Sequence, residues 1–167
     1  EQIAEKCRSL RNYGLVDRKH HKYIGYNSRL DELQAALLNV KLKYLDQWIV
    51  ERRSIAQKYI ERLEQIPEIR LLQNHPGKSP SCHIFPIRSK NRDTLKKHLD
   101  DQGIETMIHY EIPPHLQESM KHLGYKANSF PVTEETSATQ LSLPIYPGLS
   151  DTDIDYISEK ILEFYSA

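Results

Sequence analysis

The residues with the clearest chemical potential lie in a short segment that begins at Gly25. Asn27 carries an amide that can donate to a phosphate oxygen, and Arg29 adds a positive charge. A helix is predicted to begin beside them, because Ser28 and Asp31 have the spacing of a capping box. Free N–H groups and a partial positive charge at a helix N-terminus favour a bound anion. Asn and Ser are also common at helix starts for their own sake, and by themselves these residue types favour simple capping.

A second group of candidate residues consists of His109, Tyr110 and His115. They lie at the end of a predicted strand and around the rigid Pro113-Pro114 turn, where side chains can be aimed into a cleft. The two histidines lack the spacing of metal ligands on one helix, and no Cys cluster accompanies them, so no metal site is predicted. For each histidine taken alone, a local hydrogen bond is the more common role.

Predicted helices on both sides of Asn27 and Arg29 would position this first group of residues. Residues 1–13 are predicted as a helix, with Gly14 suited to a left-handed C-terminal position, and residues 15–26 as a loop. Over residues 28–66 apolar side chains recur at spacings of three and four, which predicts a single helix of roughly 37 residues. Pro67 ends it. Because this length is unusual in a globular protein, we expect a kink or a partner surface along it.

The second group depends on short strands that alternate with helices. We expect strands at residues 69–72, 83–88, 104–109 and 141–145, an exposed turn at residues 73–80, and helices at residues 91–103, 115–122, 133–140 and from 150 onward. Pro86 indicates an edge strand or a bulge. The predicted fold class is therefore α+β: a long N-terminal linking helix, then a small, mainly antiparallel sheet packed by helices. A boundary near Pro67 separates residues 1–66 from residues 67–167.

Composition excludes several functional classes. The 167 residues contain 23 Lys plus Arg and 23 Asp plus Glu, so the chain lacks the basic excess of a nucleic-acid binder. No apolar run approaches the roughly 20 residues that span a bilayer, so no membrane partner is expected. Cys7 and Cys82 form no Cys-x-x-Cys pair, which predicts a reduced, cytoplasmic protein. The chain starts without Met in what reads as helix, so we expect its native start to lie upstream.

An ordered series of motifs resembles one family, the DegT/DnrJ-type sugar aminotransferases, which are PLP-dependent enzymes of fold type I that act on nucleotide-linked keto-sugars. The matching stretches are Leu10 to Gly14, Gly25 to Ala36, Arg52-Arg53 with Tyr59, Gly103 to Thr106, His109-Tyr110 with Pro114-His115, Gly124-Tyr125, Phe130 to Glu134 and Leu141 to Pro147. They follow the family's order and cover essentially the whole chain, which makes the resemblance specific.

The resemblance implies roles for both groups of candidate residues. Asn27 would reach the phosphate of the PLP held by the other subunit of a homodimer, with Arg29 beside it. His109, Tyr110 and His115 would lie near the sugar-nucleotide site. Residues 1–66 would form the end of the large domain and a long interdomain and dimer helix, and residues 67–167 the small domain. PLP would belong to the full-length enzyme, with none bound to this chain alone.

Two departures from the family pattern matter. Glu111 stands where the family usually has Pro after His-Tyr, which affects the substrate loop. The family's Schiff-base lysine lies well before the Gly-Tyr-Asn motif in a Ser-x-x-x-x-Lys context, and the lysines of this chain that precede Gly25 lack that context: Lys6, Lys19 and Lys22. Lys41 and Lys43, within the helix that follows, are poor substitutes. Without that lysine amino-group transfer cannot proceed.

We therefore expect the chain to be the C-terminal portion of a sugar aminotransferase of deoxysugar or polysaccharide biosynthesis, inactive by itself, whose parent uses glutamate as amino donor. Two alternatives stay open. The chain is a stand-alone, non-catalytic module that dimerises or binds a partner through its long helix, or it is part of a PLP-dependent, dehydratase-like relative in which a histidine replaces the lysine. The residues encoded immediately upstream would distinguish all three.

Overall fold

The structure, a computed structural model, describes residues 1–72 and 77–166, and it divides into two compact units, Glu1–Leu45 and Asp46–Ala167. The division lies about twenty residues before the boundary that the sequence predicts near Pro67. The reason is the helix α3 (Leu45–Leu63), which buries Tyr59 and Leu63 in the second unit's core. The assignment of residues 1–66 to the end of a large domain stays a prediction.

The first unit contains two helices, α1 (Gln2–Leu10) and α2 (Glu32–Leu42). No residue of α2 is buried, and Leu33 on it is 74% exposed. Ile24, in the segment between the helices, is 99% exposed. The first unit therefore has no hydrophobic core of its own.

The predicted single helix over residues 28–66 is wrong: where we expected a kink or a partner surface, the structure has two helices. A turn at Lys43 and Tyr44 separates α2 from α3, because the Lys43 N–H donates to the Val40 carbonyl (3.3 Å) and the Tyr44 N–H to the Lys41 carbonyl (3.0 Å). These bonds reach back three residues instead of the four of an α-helix. The helix also begins later than the sequence predicts, because its N-cap is Asp31, three residues after the predicted Ser28 cap.

The second unit contains a three-stranded antiparallel sheet in the order β1-β2-β3. The strands are β1 (Arg70–Leu71), β2 (Phe85–Arg88) and β3 (Gln140–Leu143). The helices that pack with it are α4 (Arg92–Asp101), α5 (Pro131–Thr139) and α6 (Asp151–Ser166), with two short 3₁₀ helices at Pro114–Leu116 and Glu118–Leu123. This arrangement confirms the α+β fold class. Residues 73–76 of the predicted turn lie outside the described residues.

Pro86 lies in the central strand, contrary to the predicted edge or bulge. Its partner Ser142 exchanges hydrogen bonds with Met107 on its other side, so Ser142 has no backbone group directed at Pro86. On the opposite side, the residue that would accept an N–H from position 86 is residue 72. It lies beyond β1, which ends with Leu71 paired to Ile87. A proline therefore costs this strand no ladder bond.

The strand predicted over residues 104–109 is reduced to one bridge, between Met107 and Ser142. The two residues exchange both backbone bonds, at 3.1 and 2.7 Å. The next hydrogen-bonded pair of such a ladder would join Glu105 to Pro144, and Pro144 has no N–H to donate. The pairing therefore cannot extend in that direction.

The core of the second unit lies between the sheet and the helices α3, α4 and α6. Its fully buried side chains are Tyr59, Leu63, Ile87, Leu95, Leu99, Leu141, Ile154 and Ile161. Ion pairs between Lys58 and Asp151, and between Arg62 and Asp155 (2.5 Å), join α3 to α6 at the core's rim. Over the described ranges, no helix combines the length and the hydropathy needed to cross a bilayer.

Candidate functional site

The segment that contains Asn27 is held by an isolated antiparallel bridge and is not a helix start. It pairs with the end of α1 and the residues just after it: the Tyr26 N–H donates to the Leu10 carbonyl (2.7 Å), and the Ser28 N–H donates to the Arg11 carbonyl (2.8 Å). Asn27 forms a bridge with Asn12 between these two bonds. The backbone on both sides of Asn27 is therefore fixed by hydrogen bonds.

Gly25 allows this arrangement because it has no side chain. A Cβ atom on Gly25 would lie 2.1 Å from the Gly14 nitrogen, and one on Gly14 would lie 1.7 Å from the Tyr23 carbonyl oxygen. Gly14 has the left-handed backbone that the sequence predicts (φ +78°), but α1 has already ended at Leu10. Gly25 allows two backbone segments to touch, whereas the sequence suggests a tight turn before a helix.

The capping interpretation of Asn27 and Ser28 is wrong. The helix α2 has Asp31 as its N-cap, without a side-chain capping bond, and Asn27 lies five residues before the helix begins. Asp31 and Glu32 bring negative charge to that helix end, which does not favour an anion there. Any anion near Asn27 would therefore be held by side chains.

Asn27 and Arg29 form a bonded pair on the surface of the first unit. The Arg29 Nε donates to the Asn27 Oδ1 (3.1 Å), and the Arg29 guanidinium lies 5.6 Å from the centre of the Tyr13 ring. Both side chains are exposed. Because Oδ1 accepts from Arg29, the amide NH2 of Asn27 keeps both N–H donors. A neutral donor beside a guanidinium is a donor set that suits a phosphate.

His109 lies in the second unit, where two cavities meet. Its Nδ1 is bonded to the Ser142 hydroxyl (2.9 Å), which leaves Nε2 as the ring nitrogen available to a ligand. One cavity, of about 680 Å³, is also lined by Thr106, Ser142 and Tyr146, and the other, of about 300 Å³, by Tyr110. His109 therefore lines both cavities.

Tyr110 is exposed beside His109. Its side chain is 72% exposed, and the two rings meet edge to face with centres 5.7 Å apart. Its carbonyl accepts a long bond from the Gln140 amide (3.5 Å), which connects the segment to β3. Of the predicted substrate-contacting residues, the structure therefore brings His109 and Tyr110 together.

His115 is placed differently, since it lines neither of these cavities. It is buried, with its Nε2 bonded to the Glu134 carboxylate (3.1 Å) and its ring 4.9 Å from that of Phe130. The same carboxylate accepts the N–H groups of Asn128 (2.9 Å) and Phe130 (3.1 Å). These backbone bonds, led by that of Asn128 and helped by His115, lower the pKa of Glu134. The geometry gives His115 a structural place, and its contact with substrate stays a prediction.

Two cavity residues were missed by the sequence analysis. Ser142 orients His109, and it lies in the wholly buried strand β3, where Gln140 and Ser142 alternate with two leucines. Thr106 is 6% exposed, and its Oγ1 has no hydrogen-bond partner within residues 1–72 and 77–166. Unpaired buried hydroxyls are uncommon in proteins. A polar residue inside a predicted strand was the available signal.

No group of three or more potential metal ligands occurs in the described part of the chain.

Comparisons with known proteins agree on one family. Residues 1–162 match the DegT/DnrJ/EryC1/StrS aminotransferase family. The chain is 45% identical over 155 residues to the erythromycin biosynthesis sensory transduction protein EryC1 of Saccharopolyspora erythraea. This match covers 93% of this chain and 42% of that protein. It is 40% identical over 148 residues to the dTDP-3-amino-3,4,6-trideoxy-alpha-D-glucose transaminase of Streptomyces venezuelae, with 89% of this chain and 39% of that protein covered.

A solved structure shows the same fold. The crystal structure of S. venezuelae DesV in complex with a ketimine intermediate matches with a TM-score of 0.92 and 37% identity. The match covers 99% of this chain and 45% of the DesV chain. The chain therefore spans less than half the length of the relatives that it resembles.

Proposed function

The chain belongs to the DegT/DnrJ/EryC1/StrS aminotransferase family, and on that premise we propose that it is the C-terminal portion of a PLP-dependent aminotransferase. The substrate class in this proposal is a keto-sugar nucleotide, and the amino donor is glutamate. The family match over residues 1–162 is the observation that carries the proposal. The named sugar transaminase among its relatives supports the substrate class.

In the proposed enzyme, Asn27 and Arg29 contact the phosphate of PLP held by the partner subunit. The fit rests on the exposed amide donors of Asn27, the guanidinium bonded beside them, and the backbone that is fixed on both sides. PLP, when bound, supplies the electron sink that amino-group transfer requires. The two side chains hold and orient its phosphate, and they take no part in proton transfer.

The proposed sugar-nucleotide site includes His109 and Tyr110. The bond from Ser142 fixes one ring nitrogen of His109, so Nε2 can donate to or accept from a substrate hydroxyl. The phenol of Tyr110 adds a second exposed hydrogen-bonding group. His115 supports this site through the loop that Glu134 holds, and we keep it in the site on the strength of the family resemblance.

The proposed assembly is a homodimer that covers α2. Leu33, Leu37 and Val40 on this helix are 74, 59 and 56% exposed, and the helix buries nothing within its unit. Contiguous exposed apolar surface of this kind marks an interaction site. The same observation supports the second candidate function, a stand-alone dimerisation module, so self-association alone does not separate the two.

The upstream coding sequence and an activity assay test the proposal together. The chain is expressed alone and joined to the residues encoded before Glu1, and each protein is mixed with PLP, glutamate and keto-sugar nucleotides. We expect an aminated sugar nucleotide, detected by mass spectrometry, from the longer protein only. An initiator codon directly before Glu1 would favour the module, and an upstream histidine in the lysine's place would favour the dehydratase-like relative. Amino transfer by the chain alone would refute its expected inactivity.

The phosphate contact is tested in the longer protein by Arg29→Gln. Removing one charge-assisted phosphate contact should weaken PLP binding by about tenfold, measured by equilibrium dialysis. Arg18→Gln is the matched control, because it removes the same charge from an exposed position in the same unit. Equal PLP affinity in the two variants would reject the role of Arg29.

A further inference from the structure

A third cavity of about 500 Å³ lies in the second unit and is lined by cationic side chains. It occupies one end of the sheet, where β1 and β2 meet the start of α4. We call it the Arg70 cleft, after a lining that includes Arg70, Arg88, Ser89, Lys90, Glu135 and Tyr165. It shares no lining residue with the two cavities at His109. Nothing in the proposed transfer reaction uses it.

Two arginines face each other across the strands at this cleft. Arg70 of β1 is directly opposite Arg88 of β2 in the antiparallel register. Side chains at such positions lie on one face of a sheet, with Cβ atoms about 4.5–5.5 Å apart, and like charges there destabilise the sheet. An arrangement of this kind needs compensating negative charge.

The protein compensates only one of the two arginines. The Arg88 guanidinium pairs with the Glu135 carboxylate (2.7 Å) and donates through Nε to the Thr139 hydroxyl (3.0 Å). The Arg70 side chain has neither an ion pair nor a hydrogen bond to another residue that the structure describes, and the same holds for the Lys90 side chain. Since Glu68 is the other carboxylate of the lining, three cations face two carboxylates.

The floor of the cleft is polar and hydrogen-bonded. Ser89 is 2% exposed, is bonded to the Tyr165 hydroxyl, and accepts the N–H of Asn91 (2.9 Å). Asn91 is the N-cap of α4, and no side chain caps this helix. The first turn of that helix carries Asp93 and lies outside the lining, so the cationic side chains are the groups available to an anion.

We propose that the Arg70 cleft binds the pyrophosphate group of a small phosphorylated molecule, at a site separate from the one at Asn27. Arginine guanidiniums match phosphate oxygens in a fork geometry, and Lys90 supplies a further point charge. The volume lies within the range of small-molecule sites and exceeds the needs of a single phosphate. A bound pyrophosphate would also neutralise the repulsion between Arg70 and Arg88. This inference does not depend on the proposed transferase function.

Calorimetric titration of the 167-residue chain with pyrophosphate tests the proposal. At low ionic strength we expect saturable binding that is at least about tenfold tighter than binding of inorganic phosphate or sulfate. Arg70→Gln should weaken pyrophosphate binding by about tenfold, and Lys90→Gln by about threefold to tenfold. Lys97→Gln is the matched control, since it removes the same charge from an exposed position on α4, and it should leave the affinity unchanged.

Backbone amide NMR shifts locate the bound anion. Pyrophosphate should move the signals of Arg70 and of residues 89–91 first. Arg29→Gln should leave the shifts of Arg70 and of residues 89–91 unchanged, so loss of an anion contact at Asn27 and loss of this site are separate results. The proposal is overturned if Arg70→Gln binds like the unmodified chain, if Arg29→Gln abolishes these shifts, or if sulfate binds as tightly as pyrophosphate.

Discussion

Tyr59→Phe removes one buried hydroxyl that connects α3 to the cavity wall at His109. Tyr59 is fully buried, and its hydroxyl donates to the Pro144 carbonyl (3.0 Å), while its ring stacks on Phe85 with centres 5.1 Å apart. Phenylalanine keeps the ring and its packing and loses only the donor. The Pro144 carbonyl is then left unpaired, which should cost about 1–2 kcal/mol of the free energy of unfolding.

Thermal unfolding followed by calorimetry or circular dichroism measures this cost. For a cooperative unit of about 120 residues, the melting temperature should fall by about 4–8 °C. Tyr156→Phe is the matched control, because it also removes a hydroxyl that donates to a carbonyl (Gln102, 3.1 Å), but at an exposed position. Its cost should stay within about 0.5 kcal/mol.

The pH dependence gives a second test. Burial raises the pKa of the Tyr59 phenol above its ordinary value of 10.0. A raised pKa means that folding favours the neutral phenol, so its contribution is fully present below pH 10 and declines as the pH rises beyond it. The difference between the two proteins should therefore be constant from pH 6 to about pH 9. Equal stability losses in Tyr59→Phe and Tyr156→Phe would refute the reasoning.

Three further changes probe other parts of the chain. Gly25→Ala places a Cβ 2.1 Å from the Gly14 nitrogen, so the amides of Tyr13 and Tyr26 should lose hydrogen-exchange protection; Gly124→Ala, which meets nothing within 4 Å, should leave them protected. The hydrogen bonds that the Glu134 carboxylate accepts lower its pKa. The stabilisation that they give the folded protein is therefore fully present above pH 4.5, and it is lost as the pH falls through the lowered pKa. Glu134→Gln should flatten this acid loss in melting temperature, and an unchanged acid profile would contradict the assignment. Leu63→Ala, at a fully buried core position, should cost about 2–5 kcal/mol in urea unfolding without altering the amides near residue 27; a cost below 1 kcal/mol would contradict the core assignment.

The same Ser-x-x-Asp pattern forms a helix cap at one place in this chain and none at another. Ser150-x-x-Asp153 forms the predicted cap of α6, with the Asp153 N–H donating to the Ser150 hydroxyl (3.1 Å). Ser28-x-x-Asp31 forms no cap, because the Ser28 N–H is already bonded to the Arg11 carbonyl and the backbone there is extended. A capping pattern states what a segment can do, and a partner distant in sequence decides whether it does so.

The sequence alone determined the family, the α+β class and the core-facing sides of α3, α4 and α6, because periodicity and ordered motifs are local properties of the chain. Only the tertiary structure decided that Gly25 serves a backbone contact, that residues 104–109 keep one bridge, and that Arg70 faces Arg88. Each of these depends on which distant segment pairs with which and in what register. Spacing along the chain does not encode such pairing, because the backbone bonds and close contacts that fix it join residues far apart in sequence.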